Sequence, residues 1–369
     1  MRTFICDHCG HLVFFDNTEC VHCGAFLAFV PERMRMAALR PFPVANGLWA
    51  LTPEPASATH QHTGATRYRM CRNRSQVGAA CNFTTDADGA QPYCISCRQT
   101  RWLPNLSDPI NLLRTRKLES AKRYLFYTLS CLQLTILHGF AAPTFDFLED
   151  LPGHAPIMTG HGNGVITLNV AEADDDERAR RRLAMLEPYR TLLGHLRHES
   201  GHFFWDALIR DTAWLQPFRT LFGDERQDYG QALQAHYAAG PKPAEAWQPQ
   251  HVSAYATAHP WEDWAETWAH YLHLMDLMET AASYRIQLQL PGQPQQLPAI
   301  EDPFQAPAPL PLQRIMQQCV PLTLMLNSLT RSMGQQDAYP FALSAGAIAK
   351  LQFIHDVVMA RRTQSIANS

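Results

Sequence analysis

Three residues within one five-residue stretch, His198-Glu199-Ser200-Gly201-His202, have the types and spacing to hold and use a metal ion. On a helix, positions i and i+4 share a face, so both imidazoles reach one ion, and two histidines in this spacing with an adjacent glutamate favour zinc. Glu199 lies between the two and can approach a metal-activated water as general base. A catalytic zinc takes three protein ligands and keeps one position open, so a third must come from elsewhere. The stretch His259-Pro-Trp-Glu262-Asp-Trp-Ala-Glu266-Thr-Trp-Ala-His270 offers Glu262 and Glu266, one helical turn apart beside a tryptophan stripe. Sixty positions separate His202 from Glu262, and Asp224, Asp228, His236, His251 and His259 in that interval compete for the same role. Asp263 cannot share it with Glu262, because consecutive helical residues point about 100° apart.

A second chemistry resides in the cysteines. Eight of the ten fall in the first 97 residues. Cys6 and Cys9 form one CxxC and Cys20 and Cys23 another, each followed by glycine, and two such knuckles make a tetrahedral sulfur cage for zinc. Gly10 and Gly24 supply the positive φ that the knuckle turn needs. Cys71, Cys81, Cys94 and Cys97 form a looser second set, with one CxxC, and are expected to hold a second structural zinc. Cys131 and Cys319 lie in apolar surroundings and read as core residues. His60 and His62 read as solvated.

The elements that must position these groups follow from period and punctuation. The expected fold is α+β: a small cysteine-rich zinc ribbon, then a mainly α-helical domain with a short edge sheet. Residues 1–30 read as the ribbon, 31–65 as a Pro-, Ala- and Thr-rich connector and 66–104 as the second cysteine module. Residues 105–290 carry the histidine motif, and 291–369 hold a Pro-rich segment and C-terminal helices. Helical period marks Leu112, Leu113 and Ala121–Leu137, then Glu177–Leu193, Pro188–Ile209, Trp261–Ala282, Leu312–Met333 and Ser344–Arg361. Val165–Val170, flanked by glycines, reads as a strand and as a candidate edge for pairing with an extended peptide. Seven prolines between Pro291 and Pro311 make that segment an extended wrap.

The chain has 369 residues, 46% of them hydrophobic and 18% charged, which excludes a disordered or tail-like protein. The net charge of −3 disfavours a protein that depends on neutralising phosphates. No apolar run is long enough to span a bilayer, and the N-terminus shows no signal-peptide core. The expectation is a cytoplasmic chain without membrane attachment.

The histidine motif followed by a helix bearing two carboxylates a turn apart is similar to the gluzincin class of zinc metallopeptidases. Tyr255, seven positions ahead of Glu262 in Glu262-Asp-Trp-Ala-Glu266, resembles the anthrax lethal factor type of catalytic domain. That resemblance implies Glu262 as third zinc ligand, Glu266 as the partner that orients a ligand, and Tyr255 as the donor that stabilises the oxyanion. With a cysteine ribbon ahead of the motif, most of the chain resembles a bacterial family of zinc-binding metallopeptidases with an N-terminal zinc-ribbon domain.

Together these readings predict a zinc-dependent peptidase with one catalytic zinc on His198, His202 and Glu262 and two structural zincs on the cysteines. Its substrate is a peptide or protein. The alternative is a binding scaffold in which the cysteine modules engage a protein or a nucleic acid and the histidine domain is degenerate or hydrolyses another amide. Arg67, Arg69, Arg72, Arg74, Arg98 and Arg101 give the second module the local basic character which that alternative requires.

Overall fold

A computed structural model describes residues 1–42, 47–52, 67–75, 81–136, 139–178, 180, 191–292, 296–306 and 308–367. His60, His62 and most of the helix expected over Glu177–Leu193 lie outside those residues. The chain divides into two compact units, Met1–Thr159 with Thr167–Asp174, and Gly160–Ile166 with Asp175–Ser369.

The first unit begins with two short antiparallel strands, β1 (Phe4–Ile5) and β2 (Leu12–Val13). Between them the Gly10 amide donates to the Cys6 carbonyl, and the Gly24 amide donates to Cys20 in the same way. Both glycines take positive φ, which closes each knuckle without a Cβ clash. The chain continues into an antiparallel meander of β3 (Phe26–Val30), β4 (Arg35–Pro41), β5 (Trp49–Leu51), β6 (Arg67–Met70) and β7 (Thr84–Asp86). The Phe29 amide donates to the Asn82 carbonyl, so the first strand of the meander meets the approach to the last.

β4 and β5 occupy the stretch that composition alone reads as a connector. Met36, Ala37, Ala38 and Leu39 are all buried, so this strand is covered on both faces and shows no alternation. Its alanines, like the nearby prolines, hide it from a propensity reading. A core of Ala28, Val30, Ala37, Leu39 and Tyr68 joins it to its neighbours.

β8 (Thr100–Trp102) pairs in parallel with β9 (Thr144–Leu148). Helix α1 (Pro109–Cys131) starts at Asp108, whose carboxylate accepts the Ile110 amide, with Pro109 at the first helical position. The first unit thus runs well beyond residue 104.

The second unit contains β10 (Gly160–Gly162), joined to β11 (Val165–Asn169) by Asn163 and Gly164, both at positive φ. An Asn-Gly pair in this conformation is the favoured two-residue hairpin turn. The sheet order β10-β11-β9-β8 corrects the expectation that Val165–Val170 is an edge. The Asn163-Gly164 turn folds Gly160–Gly162 back along it, so β10, not β11, is an edge strand.

Helix α2 (Leu192–Leu208) is capped by Thr191, whose hydroxyl accepts the Gly194 amide. Then come α3 (Leu215–Phe222), α4 (Tyr229–Ala239), α5 (Ala244–Trp247), α6 (Pro260–Ser283), α7 (Leu312–Ser332) and α8 (Ala345–Ala367). The core is aromatic: Trp268 stacks on Phe204 at 4.8 Å, and Trp264 lies against Phe218, Phe222 and Phe353. Among the described residues no helix is long and apolar enough to cross a membrane.

Candidate metal centre

The centre is built where α2 crosses α6. Gly201 lets the helices close: a Cβ placed there meets the Ala265 Cα at 2.8 Å. The crossing is pinned by two indoles, with Trp264 Nε1 donating to the Gly201 carbonyl at 2.8 Å and Trp268 Nε1 to the Ser200 hydroxyl at 3.1 Å. His259 caps α6 through Nδ1, which accepts the Trp261 amide, and Pro260 opens the helix. That start places Glu262 in the first turn, beside the two histidines.

One ligand atom from each of His198, His202 and Glu262 lies within 4.8 Å of the others. Glu262 Oε2 is 3.0 Å from His198 Nε2, and Oε1 is 3.6 Å from His202 Nε2. On the far side of His198, Nδ1 is 2.7 Å from Glu266 Oε1, while the Ser253 hydroxyl donates to Glu266 Oε2 at 2.6 Å. The Glu266 carboxylate makes Nδ1 the donor, which leaves Nε2 of a neutral His198 as an acceptor. That acceptor faces a buried Glu262 oxygen with no hydrogen-bond donor of its own. Two lone-pair atoms this close require a cation between them, either a proton or a metal. Two imidazoles and one carboxylate, with the opposite nitrogen of one imidazole fixed by a second carboxylate, are the donor set that zinc takes.

The electrostatics fit the same reading. Burial opposes charge on Glu262, but the His202 and His198 rings and the Tyr229 hydroxyl hold its carboxyl low, at about 2. Burial keeps His202 neutral, with its imidazole brought down to about 4. Burial also acts against His198, yet the two carboxylates beside it carry that imidazole well above its ordinary value when no metal competes.

The remaining expected residues are placed as follows. Glu199 is buried on α2 between the two histidines. Tyr255 lies in a short 3-10 turn with its ring 6.0 Å from that of His198. None of the competing groups joins the triad. Asp224 is paired with Arg226, Asp228 caps α4, His251 faces Asp263 at 3.6 Å, and His259 caps α6. His236 packs against Tyr255. His270 hydrogen-bonds the Tyr339 hydroxyl in the core.

Three residues beside the centre escaped the sequence reading. The Tyr229 hydroxyl donates to Glu262 Oε1 at 2.6 Å. Ser253 holds Glu266, and the ring of His161, on the edge strand β10, lies nearly parallel to that of His202 at 6.3 Å. Nothing local marks them; each is brought in by a separate element.

The cysteines gather into the two expected sets, with Cys6, Cys9, Cys20 and Cys23 in one and Cys71, Cys81, Cys94 and Cys97 in the other. The sulfurs of Cys9 and Cys20 are 3.7 Å apart, as are those of Cys81 and Cys94. All four thiols of the second set are buried. Of the arginines near it, Arg67 pairs with Asp88, Arg101 pairs with Asp146, and Arg74 lies over the Phe26 ring.

Two family models match the chain. Residues 111–357 match the family described as "putative zinc-binding metallo-peptidase", and residues 3–108 match a zinc-ribbon domain. An uncharacterized protein of Mycobacterium bovis is 38% identical over 368 residues, covering 97% of this chain and 95% of the relative. Uncharacterized proteins from two strains of Mycobacterium tuberculosis match to the same extent. No solved structure matches. The chain therefore belongs to this family of zinc-binding metallopeptidases, with a zinc-ribbon domain ahead of its metallopeptidase region.

Proposed function

We propose that the protein is a zinc-dependent peptidase that hydrolyses peptide bonds in a peptide or protein substrate, with Glu199 as general base. The observation that carries this reading is the meeting of His198, His202 and Glu262 atoms within 4.8 Å across two helices. A zinc ion held by those three residues supplies Lewis acidity, polarising a carbonyl and lowering the pKa of a water towards about 7.

The chain's own groups do the rest. Glu199, next to His198 on α2, takes the proton of the attacking water and passes it to the leaving amine. Glu266 fixes the His198 ring and raises its basicity. Tyr255 is the proposed donor to the oxyanion, supported by the approach of its ring to His198. Each cysteine set holds one structural zinc, which makes three per chain.

Zinc per chain tests the metal count: about three in the wild type, falling to about two in the His198→Ala/His202→Ala variant. The Glu199→Gln variant is expected to keep all three and lose hydrolysis of a casein or mixed-peptide substrate. Equal zinc in wild type and double variant sinks the metal assignment, and activity retained in Glu199→Gln sinks the base.

A further inference from the structure

We infer that Tyr229 sets how Glu262 binds its metal, by occupying one of the two carboxylate oxygens so that only the other is offered. The inference rests on the metal-site reading above and adds a residue to it. Tyr229 is the first residue of α4, directly after the cap Asp228, whose carboxylate accepts the Gln231 amide and so fixes where the helix begins. The phenol ring is held between His259 at 5.3 Å and Trp261 at 6.0 Å, the residues at the start of α6. From that position its hydroxyl reaches Glu262 Oε1 at 2.6 Å, the short distance of a hydrogen bond to an ionised acceptor.

The two oxygens of Glu262 are therefore unlike. Oε1 carries the phenol and is the farther from an imidazole, at 3.6 Å. Oε2 is buried and faces only His198, whose Nε2 stands 3.0 Å away. A carboxylate that uses both oxygens on a metal fills a position that a water otherwise takes. A carboxylate with one oxygen engaged by a donor leaves that position open, as a hydrolytic zinc requires. Tyr229 is a positioning residue in this scheme: it acts through Glu262.

The test is Tyr229→Phe, which keeps the ring against His259 and Trp261 and removes only the donor. The most weakly held zinc is removed from the full-length protein with a picolinate-type chelator and replaced by Co²⁺. The visible band that the His198→Ala/His202→Ala variant lacks is then recorded. In Tyr229→Phe this band is expected to lose intensity and shift, as cobalt does when its coordination number rises. Metal affinity is expected to fall on the order of 10-fold, the usual scale for losing an outer partner of a ligand. A band unchanged in position and intensity, with affinity within about twofold, overturns the role of Tyr229 and leaves the metal site standing. A wild-type protein with no band beyond that of the double-histidine variant overturns both. A matching melting temperature shows that the variant is folded.

Discussion

Gly201 offers a test in which local and tertiary rules give opposite signs. Replacing a helix-interior glycine by alanine ordinarily stabilises a helix by about 1 kcal/mol, because glycine has more backbone freedom to lose. At Gly201 the new methyl meets the Ala265 Cα at 2.8 Å, the Trp268 Cδ1 at 3.2 Å and the Ala265 Cβ at 3.3 Å. The nearest of these is backbone, so no side-chain rotation relieves it, and α2 and α6 must move apart. Overpacking of this kind costs about 1–3 kcal/mol. The same movement strains the Trp264 bond to the Gly201 carbonyl, of the kind worth about 1 kcal/mol. The balance is a net loss of about 1–3 kcal/mol, which lowers the melting temperature by roughly 2–12 °C in a unit of this size. Because α6 carries Glu262, the movement also weakens the metal centre. Thermal denaturation followed by circular dichroism, with chelator competition for zinc, measures both effects. A Gly201→Ala protein that melts higher than wild type and holds zinc equally well would refute the close crossing as the device that assembles the site.

Two further outcomes follow from the same contacts. Glu266→Gln replaces the carboxylate that fixes His198 Nδ1 at 2.7 Å, and zinc affinity at the histidine site should fall about 10- to 100-fold in a chelator competition; unchanged affinity would dissociate Glu266 from the metal. Asp263, buried in the first turn of α6 and paired with Lys350, has its carboxyl carried up to about 7 by burial, against an unfolded value near about 3.9. Between those values the folded state holds the extra proton, so this group's contribution to stability falls as pH rises from about 4 through about 7. Urea denaturation at pH 5 and pH 7.5 should show wild type losing ground to Asp263→Asn over that interval, and a constant difference would rule the assignment out.

How much of the molecule can be read from its sequence depends on whether the signal is local. The cysteine knuckles are legible because both the metal spacing and the glycine turn lie within five residues. The α2 histidines are legible for the same reason, since one helical turn puts both on one face. Glu262 is only half legible: its type and its tryptophan-rich context stand out, but choosing it over Asp224, Asp228, His236, His251 or His259 requires knowing that α6 crosses α2. Tyr229 is not legible at all. Asp228-Tyr229-Gly230 reads as an ordinary helix start, and its phenol matters only because α4 begins beside the first turn of α6. Strand β4 fails for a different reason, because a strand buried on both faces has no alternation to detect.

The two residues between Glu199 and His202 show how a spacer becomes part of a site. The metal-binding pattern is indifferent to them, and Ser200 and Gly201 carry no ligand chemistry. Yet the Ser200 hydroxyl accepts one indole of α6, the Gly201 carbonyl accepts another, and the missing Cβ at Gly201 sets how near the helices come. The tryptophan stripe that reads as a plain apolar face thus has two polar ends, and both are bonded to the helix bearing the histidines. A larger residue at position 201 keeps the histidine pattern intact on paper and moves Glu262 in space. In the proposed reaction the five-residue motif supplies two metal ligands and a base through His198, Glu199 and His202, and the two residues the pattern leaves blank bring the helix bearing Glu262 beside them.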